Sequence, residues 1–84
     1  MDTRVAVISI IVEDQNAVET LNEVLHSYNT FIIGRMGIPY PKKHICIISI
    51  ALDAPHDTIS ALSGKIGKIN GLSVKTAFSK LKSN

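Results

Sequence analysis

The chain has 84 residues, of which 45% are hydrophobic and 19% are charged, and its formal net charge is +2. This length supports one compact domain, residues 1–84, with a thin core, and the hydrophobic fraction excludes intrinsic disorder. A single cysteine excludes an intramolecular disulfide and indicates a reducing cytoplasm. The apolar run at residues 5–12 is too short to cross a bilayer, so we expect no membrane association.

The first strand predicted in chain order belongs to an internal repeat. Residues 5–13 align with residues 45–53, forty positions later, and each position keeps its chemical class, including the serines Ser9 and Ser49. Both segments are rich in β-branched residues and have the length of a buried strand. The repeat therefore predicts two equivalent strands, each followed by its own helix.

The segment after the first strand carries a helix signal. Asn16 is a candidate N-cap, and Glu19 three residues later completes a capping box. Apolar residues then recur with the period of a helix, which predicts a buried face. The residues of this face are Val18, Leu21, Val24, Leu25 and Tyr28.

The remaining elements follow in the order strand, strand, helix, strand. Residues 31–38 and 72–78 predict strands, and residues 39–43, with two prolines, predict a hairpin connection. Pro55 suits the start of the second helix, whose apolar face repeats the first with an offset of one residue. The order βαββαβ predicts an α+β, ferredoxin-like fold with a four-stranded antiparallel sheet and two helices on one face.

The two repeated strands are apolar on both of their faces. We assign the face without serine to the helices, which leaves the other face uncovered. A contiguous aliphatic patch of this kind is unusual on a soluble monomer and predicts a homodimer or homotetramer. The expected interface residues are Val5, Val7, Ile11, Ile45 and Ile47.

Few residues in the sequence suggest chemistry. The first loop has no cysteine pair for copper, and the repeated strands have no aromatic residues to stack on RNA bases. The three histidines form no close pair, and no nucleophile has an evident base. We therefore expect no catalytic residues, no metal site, no cofactor and no enzyme activity.

The clearest candidate for a binding segment is Gly34-Arg35-Met36-Gly37. Two glycines within a strand reduce its stability and mark either a β-bulge or a close approach of backbone or ligand. Arg35 lies between them and could hold a carboxylate. The residues leave both interpretations open, a structural bulge and a functional site.

This same segment carries a family resemblance. The strings GRMGIPY at residues 34–40, LSGKIGKI at 62–69 and VKTA at 74–77 resemble the iron-only hydrogenase system regulators. The resemblance implies a stand-alone ACT-like regulatory fold, similar to the ligand-binding domain of nickel-responsive repressors. The sequence shows neither a ribbon-helix-helix segment before Val5 nor a nickel-type cluster of histidine and cysteine, so we expect no direct DNA binding.

The residues predict a cytoplasmic oligomer, and the resemblance implies a transcriptional regulator associated with the hydrogenase system that binds a small effector or a protein partner. We expect its ligand between subunits, where the loop of one subunit with Glu13 and Asn16 meets Gly34, Arg35 and Gly37 of a neighbour. The alternative is a nucleic-acid-binding regulator that uses lysines of the second half. Those lysines are Lys65, Lys68, Lys75, Lys80 and Lys82.

Overall fold

The computed structural model describes residues 2–81 and contains four strands and two α-helices within them. The elements in chain order are β1 (Arg4–Val12), a 3₁₀ turn (Gln15–Ala17), α1 (Val18–Ser27), a 3₁₀ turn (Asn29–Phe31), β2 (Ile32–Tyr40), a 3₁₀ turn (Pro41–Lys43), β3 (Ile45–Ala54), α2 (His56–Gly67) and β4 (Leu72–Phe78). Neither helix of this part of the chain is long and apolar enough to cross a bilayer.

The four strands form one antiparallel sheet in the order β2-β3-β1-β4. The two repeated strands, β1 and β3, lie side by side at the centre, and β2 and β4 form the edges. Both helices pack on the same face. This arrangement confirms the ferredoxin-like βαββαβ fold.

The internal repeat is also a symmetry of the sheet. β1 and β3 pair so that Ser9 lies opposite Ser49, its own equivalent forty residues later. A pseudo-twofold axis therefore passes between these two serines. This axis relates β1 to β3, α1 to α2 and the edge strand β2 to the edge strand β4.

The core lies between the sheet and the helices and is almost entirely aliphatic. The predicted helix-facing residues of β1 and β3 are buried, with Cys46 half-buried at the end. No polar residue among residues 2–81 is buried. The core is completed by α1 and α2, and its largest fully buried side chains are Ile8, Ile10, Ile50, Leu52, Leu21, Leu25, Ile59, Leu62 and Ile66.

The predicted hairpin connection is confirmed, because β2 and β3 pair as antiparallel neighbours, but it is shorter than predicted and the bounds of β2 differ from those predicted. β2 begins at Ile32 and continues through Pro39 to Tyr40, and the connection is a single 3₁₀ turn. Proline is tolerated in this strand because β2 is an edge and one side of it needs no ladder hydrogen bonds. The turn ends at His44, whose φ of 57° reverses the chain into β3.

The end of β1 is joined to the start of β4 at Gly71. The Gly71 carbonyl accepts hydrogen bonds from the backbone N–H groups of Glu13 and Asp14, at 2.7 and 3.2 Å. Gly71 has a φ of +88°, and a Cβ atom built there would lie 2.4 Å from the Cβ of Asp14. Both the backbone conformation and the space at this junction therefore require glycine.

We expect Gly71→Ala to lower the free energy of unfolding by about 2 kcal/mol or more, because the new methyl group adds a clash to backbone strain. The matched control is Gly64→Ala in α2, where a Cβ meets no atom within 4 Å. Alanine at that helical position should raise the free energy of unfolding by about 0.5–1 kcal/mol. Urea unfolding followed by circular dichroism measures both, and equal effects would contradict the assignment.

Candidate functional site

The loop after β1, where we expected Glu13 and Asn16 to contact a ligand, takes part in internal contacts. Glu13 accepts a hydrogen bond from the Ser73 hydroxyl of β4 at 2.7 Å. Together with the Gly71 contacts, this bond fixes the loop against the start of β4. Both side chains nevertheless remain exposed at the surface.

The predicted N-cap at Asn16 was wrong. Asp14 takes this role, and its Oδ1 atom accepts a hydrogen bond from the Asn16 backbone N–H at 2.9 Å. The cap precedes a 3₁₀ turn that leads into α1 at Val18. Asp14 has the extended backbone of an N-cap, whereas Asn16 already lies inside the turn and has its N–H satisfied.

The glycine-containing segment of β2 includes a β-bulge. Ile32 pairs with Leu52 and Gly34 pairs with Ala51, so Ile33 is an extra residue in the edge strand. After the bulge the side chains alternate between the two faces of the sheet. Arg35 and Gly37 lie on the helix side, opposite the buried Ile50 and Ile48, whereas Gly34 lies on the other side.

Neither strand glycine is required by its own chain. A Cβ atom at Gly34 or Gly37 would meet no atom within 4 Å. Within residues 2–81 the only glycine with positive φ is Gly71. The bulge therefore accounts for the register shift, but the chain itself does not explain why the two positions are glycine.

Arg35 extends from β2 toward α1, where its Nη2 atom donates a hydrogen bond to Asn22 Oδ1 at 3.2 Å. Both residues line a surface groove with a volume of about 440 Å³. The groove lies between α1 and β2. It is lined by Asn22, Leu25, His26, Asn29, Ile32 and Arg35.

The structure thus separates the predicted ligand residues into two places in one chain. Glu13 and Asn16 lie after the central strand β1, whereas Gly34, Arg35 and Gly37 lie in an edge strand two positions away. The sequence analysis missed the helix side of the groove. The spacing of Asn22, His26 and Asn29 was the available signal, because residues four and seven positions apart share one face of a helix.

The sheet face away from the helices, which we call the open face, carries the predicted interface residues. Val7, Ile11 and Ile47 are 37%, 41% and 41% exposed, and Val5 and Ile45 are half-buried. Because paired residues of neighbouring strands share a face, β2 extends this patch. Its additions are Met36, Ile38 and Tyr40, opposite Ser49, Ile47 and Ile45.

The lysines of the alternative nucleic-acid surface do not share one face. Lys75 pairs with Ser9 on the open face, whereas Lys65 lies on α2, with its ammonium 5.1 Å from the centre of the Tyr28 ring. Lys82 lies outside the described residues. Across residues 2–81 there is also no group of three or more His, Cys, Asp and Glu side chains placed to hold a metal ion.

Comparison with known proteins identifies the family to which this fold and the β2 segment belong. Residues 4–76 match the TM1266-like family, described as "Iron-only hydrogenase system regulator, putative". The chain belongs to this family. The uncharacterized protein TM1266 from Thermotoga maritima has a TM-score of 0.89 and 38% identity to this family member, over 93% of the present chain and 99% of that chain.

Two other proteins extend the comparison. The ACT domain of the GTP pyrophosphokinase from Chlorobium tepidum has a TM-score of 0.69 and 20% identity, over 94% of this chain and 89% of that one, and shows the ACT-like fold. A "Putative nickel-responsive regulator" of Saccharolobus solfataricus is 32% identical over 66 residues, 79% of this chain. The chain spans about half the length of that relative, 49%.

The capping assignment predicts different effects at two neighbouring positions. We expect Asp14→Ala to lower the free energy of unfolding by about 1 kcal/mol, because the Asn16 N–H loses its acceptor while the Cβ beside Gly71 is retained. Asn16→Ala is the control and should change the free energy of unfolding by less than about 0.5 kcal/mol. Urea unfolding separates the two, and a larger loss at Asn16 would restore the original N-cap interpretation.

Proposed function

We propose that this chain is a cytoplasmic, homo-oligomeric regulatory subunit that responds to a small effector or a protein partner and catalyses no reaction. Its family supplies the regulatory role in the iron-only hydrogenase system, and its ACT-like fold supplies the architecture. The single observation that supports self-association is the open face of the sheet.

The open face is apolar enough to favour a second copy. Burying the exposed part of one large aliphatic side chain contributes about 1 kcal/mol. A twofold contact uses each such residue twice, since the same patch occurs on both subunits. The patch also surrounds Ser9 and Ser49, between which the pseudo-twofold axis passes. In a face-to-face dimer the open faces of the two subunits would therefore meet around this axis.

The proposed effector site lies between subunits, at the edge strand. There the loop of Glu13 and Asn16 from one subunit would approach Gly34, Arg35 and Gly37 of another. The open space over both glycines supports this placement, because a neighbouring backbone can approach a residue without a Cβ atom closely. In a tetramer the open face and this edge can both be occupied.

We further propose that the regulated process is transcription, by analogy with the relative named as a nickel-responsive regulator. The analogy concerns the role and not the metal, since the described residues lack a metal cluster. The lysines divided between two faces favour contact with DNA through a protein partner. The nucleic-acid-binding alternative gains no support from the structure.

Ile47→Lys tests self-association. The substitution places a charge within the open face, which should raise the dissociation constant of the oligomer at least about tenfold. Ala61→Lys is the matched control, because Ala61 is exposed on α2 and receives the same charge on the other side of the molecule. Sedimentation velocity at micromolar concentration measures both variants.

The control should sediment as the wild type does. A monomeric wild-type chain under these conditions, or an oligomer that Ile47→Lys leaves intact, would contradict the proposed use of the open face.

Gly37→Ala tests whether a neighbour approaches the edge strand. In the Ile47→Lys background the alanine should raise the free energy of unfolding by about 0.5–1 kcal/mol, because the strand gains a residue with less freedom when unfolded. In the associated wild-type background the same methyl group should weaken association about tenfold. Urea unfolding and sedimentation measure the two effects, and unchanged association would remove Gly37 from the subunit contact.

A further inference from the structure

The two repeats differ in how the helix meets its edge strand. In the second repeat the hydroxyls of Ser63 and Thr76, thirteen residues apart, share a half-buried hydrogen bond of 2.8 Å. The stacked rings of His56 and Phe78, 4.8 Å between centroids, join the start of the helix to the end of the strand. Short side chains and an aromatic contact thus close this side of the molecule.

In the first repeat the corresponding positions, forty-one residues earlier, are Asn22 and Arg35. They are also thirteen residues apart and also bonded, but the bond is made by a long arginine side chain, both residues are exposed, and α1 packs less closely on β2 than α2 does on β4. The groove of about 440 Å³ lies between α1 and β2. Its volume falls within the range of small-molecule sites in proteins.

The lining of the groove is complementary to an anion. Arg35 is a permanent cation, and no carboxylate among residues 2–81 lies within 4 Å of its guanidinium. None of the described lining residues is acidic. Asn22, Asn29 and His26 add N–H groups that can donate hydrogen bonds to carboxylate oxygens, and a guanidinium binds a carboxylate with two parallel bonds.

The lining also has an apolar part. The half-buried Ile32 supplies apolar surface to the groove, whereas Leu25 borders it but is only 2% exposed and belongs to the core. An inorganic anion would leave this surface without a partner, whereas an aliphatic group would cover it. The combination selects a molecule with a carboxylate at one end and a short hydrocarbon body.

We propose that the groove between α1 and β2 is a binding site for a small organic carboxylate, held at Arg35 and packed against Ile32. Glu19 lies one helical turn before Asn22 on the same side of α1, so the favourable part of the groove for the anion extends toward His26 and Asn29. The site lies within one chain. This proposal rests on one part of the proposed function, that the protein responds to a small ligand, and it does not require self-association.

The test is a titration of the full chain with isovalerate, followed by the backbone and side-chain amide signals in ¹H–¹⁵N spectra. Isovaleramide, which has the same hydrocarbon body without the charge, and inorganic phosphate are titrated in parallel. We expect saturable shifts at Asn22, His26 and Asn29 with isovalerate, with a dissociation constant on the order of 1 mM for so small a probe. Isovaleramide and phosphate should each bind at least about tenfold more weakly.

Arg35→Gln should weaken isovalerate binding about tenfold or more, because the carboxylate loses its charged partner. Arg4→Gln is the matched control, since it removes the other arginine of the chain from β1, and it should bind as the wild type does. Absence of saturable shifts, equal binding by Arg35→Gln, or preference for isovaleramide or phosphate would each overturn the proposal. Sedimentation velocity of the same samples measures self-association independently. Failure of the proposed carboxylate site is therefore distinguishable from failure of the proposed oligomer.

Discussion

The helices cover only one face of a sheet whose central strands are apolar on both faces, and most other features of the molecule depend on this mismatch. On the covered face, Ile8, Ile10, Ile50 and Leu52 form a closed aliphatic core with the helices. On the open face the same two strands present aliphatic side chains around a pair of serines. Of the 45% of residues that are hydrophobic, some therefore lie on a surface that the fold of a single chain cannot bury.

The internal repeat gives the molecule two similar halves related by a pseudo-twofold axis. The places where the two halves differ indicate where they have separate roles. The edge strand β4 presents Ser73, Lys75 and Ala77 on the open face, and a charged residue there discourages pairing with another strand. The edge strand β2 instead presents Met36 and Ile38. The contact of α2 with β4 is closed, whereas that of α1 with β2 holds a groove. Both differences lie on the β2 side of the molecule.

The sequence was sufficient for the fold because local pattern and global arrangement agree: the repeat, the helical spacing and the alternation of β4 from Leu72 to Phe78 all persist in the structure. The predictions from sequence were wrong or incomplete where the structure of a residue depends on residues distant in the chain but close in space. Asp14 replaces Asn16 as the cap because Gly71, nearly sixty residues away, fixes the backbone of Asp14. The groove could not be predicted from Arg35 alone, since its other half comes from α1 and only the register of β2 shows which way Arg35 points.

The pairing of β1 with β4 has a consequence for how the chain folds. Their ladder joins Val12 to Leu72 and Ala6 to Phe78, and the backbone N–H of Ser79 donates to the Val5 carbonyl at 2.8 Å. These contacts close loops of sixty residues or more, whereas β2 and β3 meet across a single turn. Long-range pairing is slow because the loop must close before the contacts form. During synthesis β1 therefore gains its second neighbour only after residues 72–78 have been made, and until then one edge of this apolar strand has no partner in the sheet.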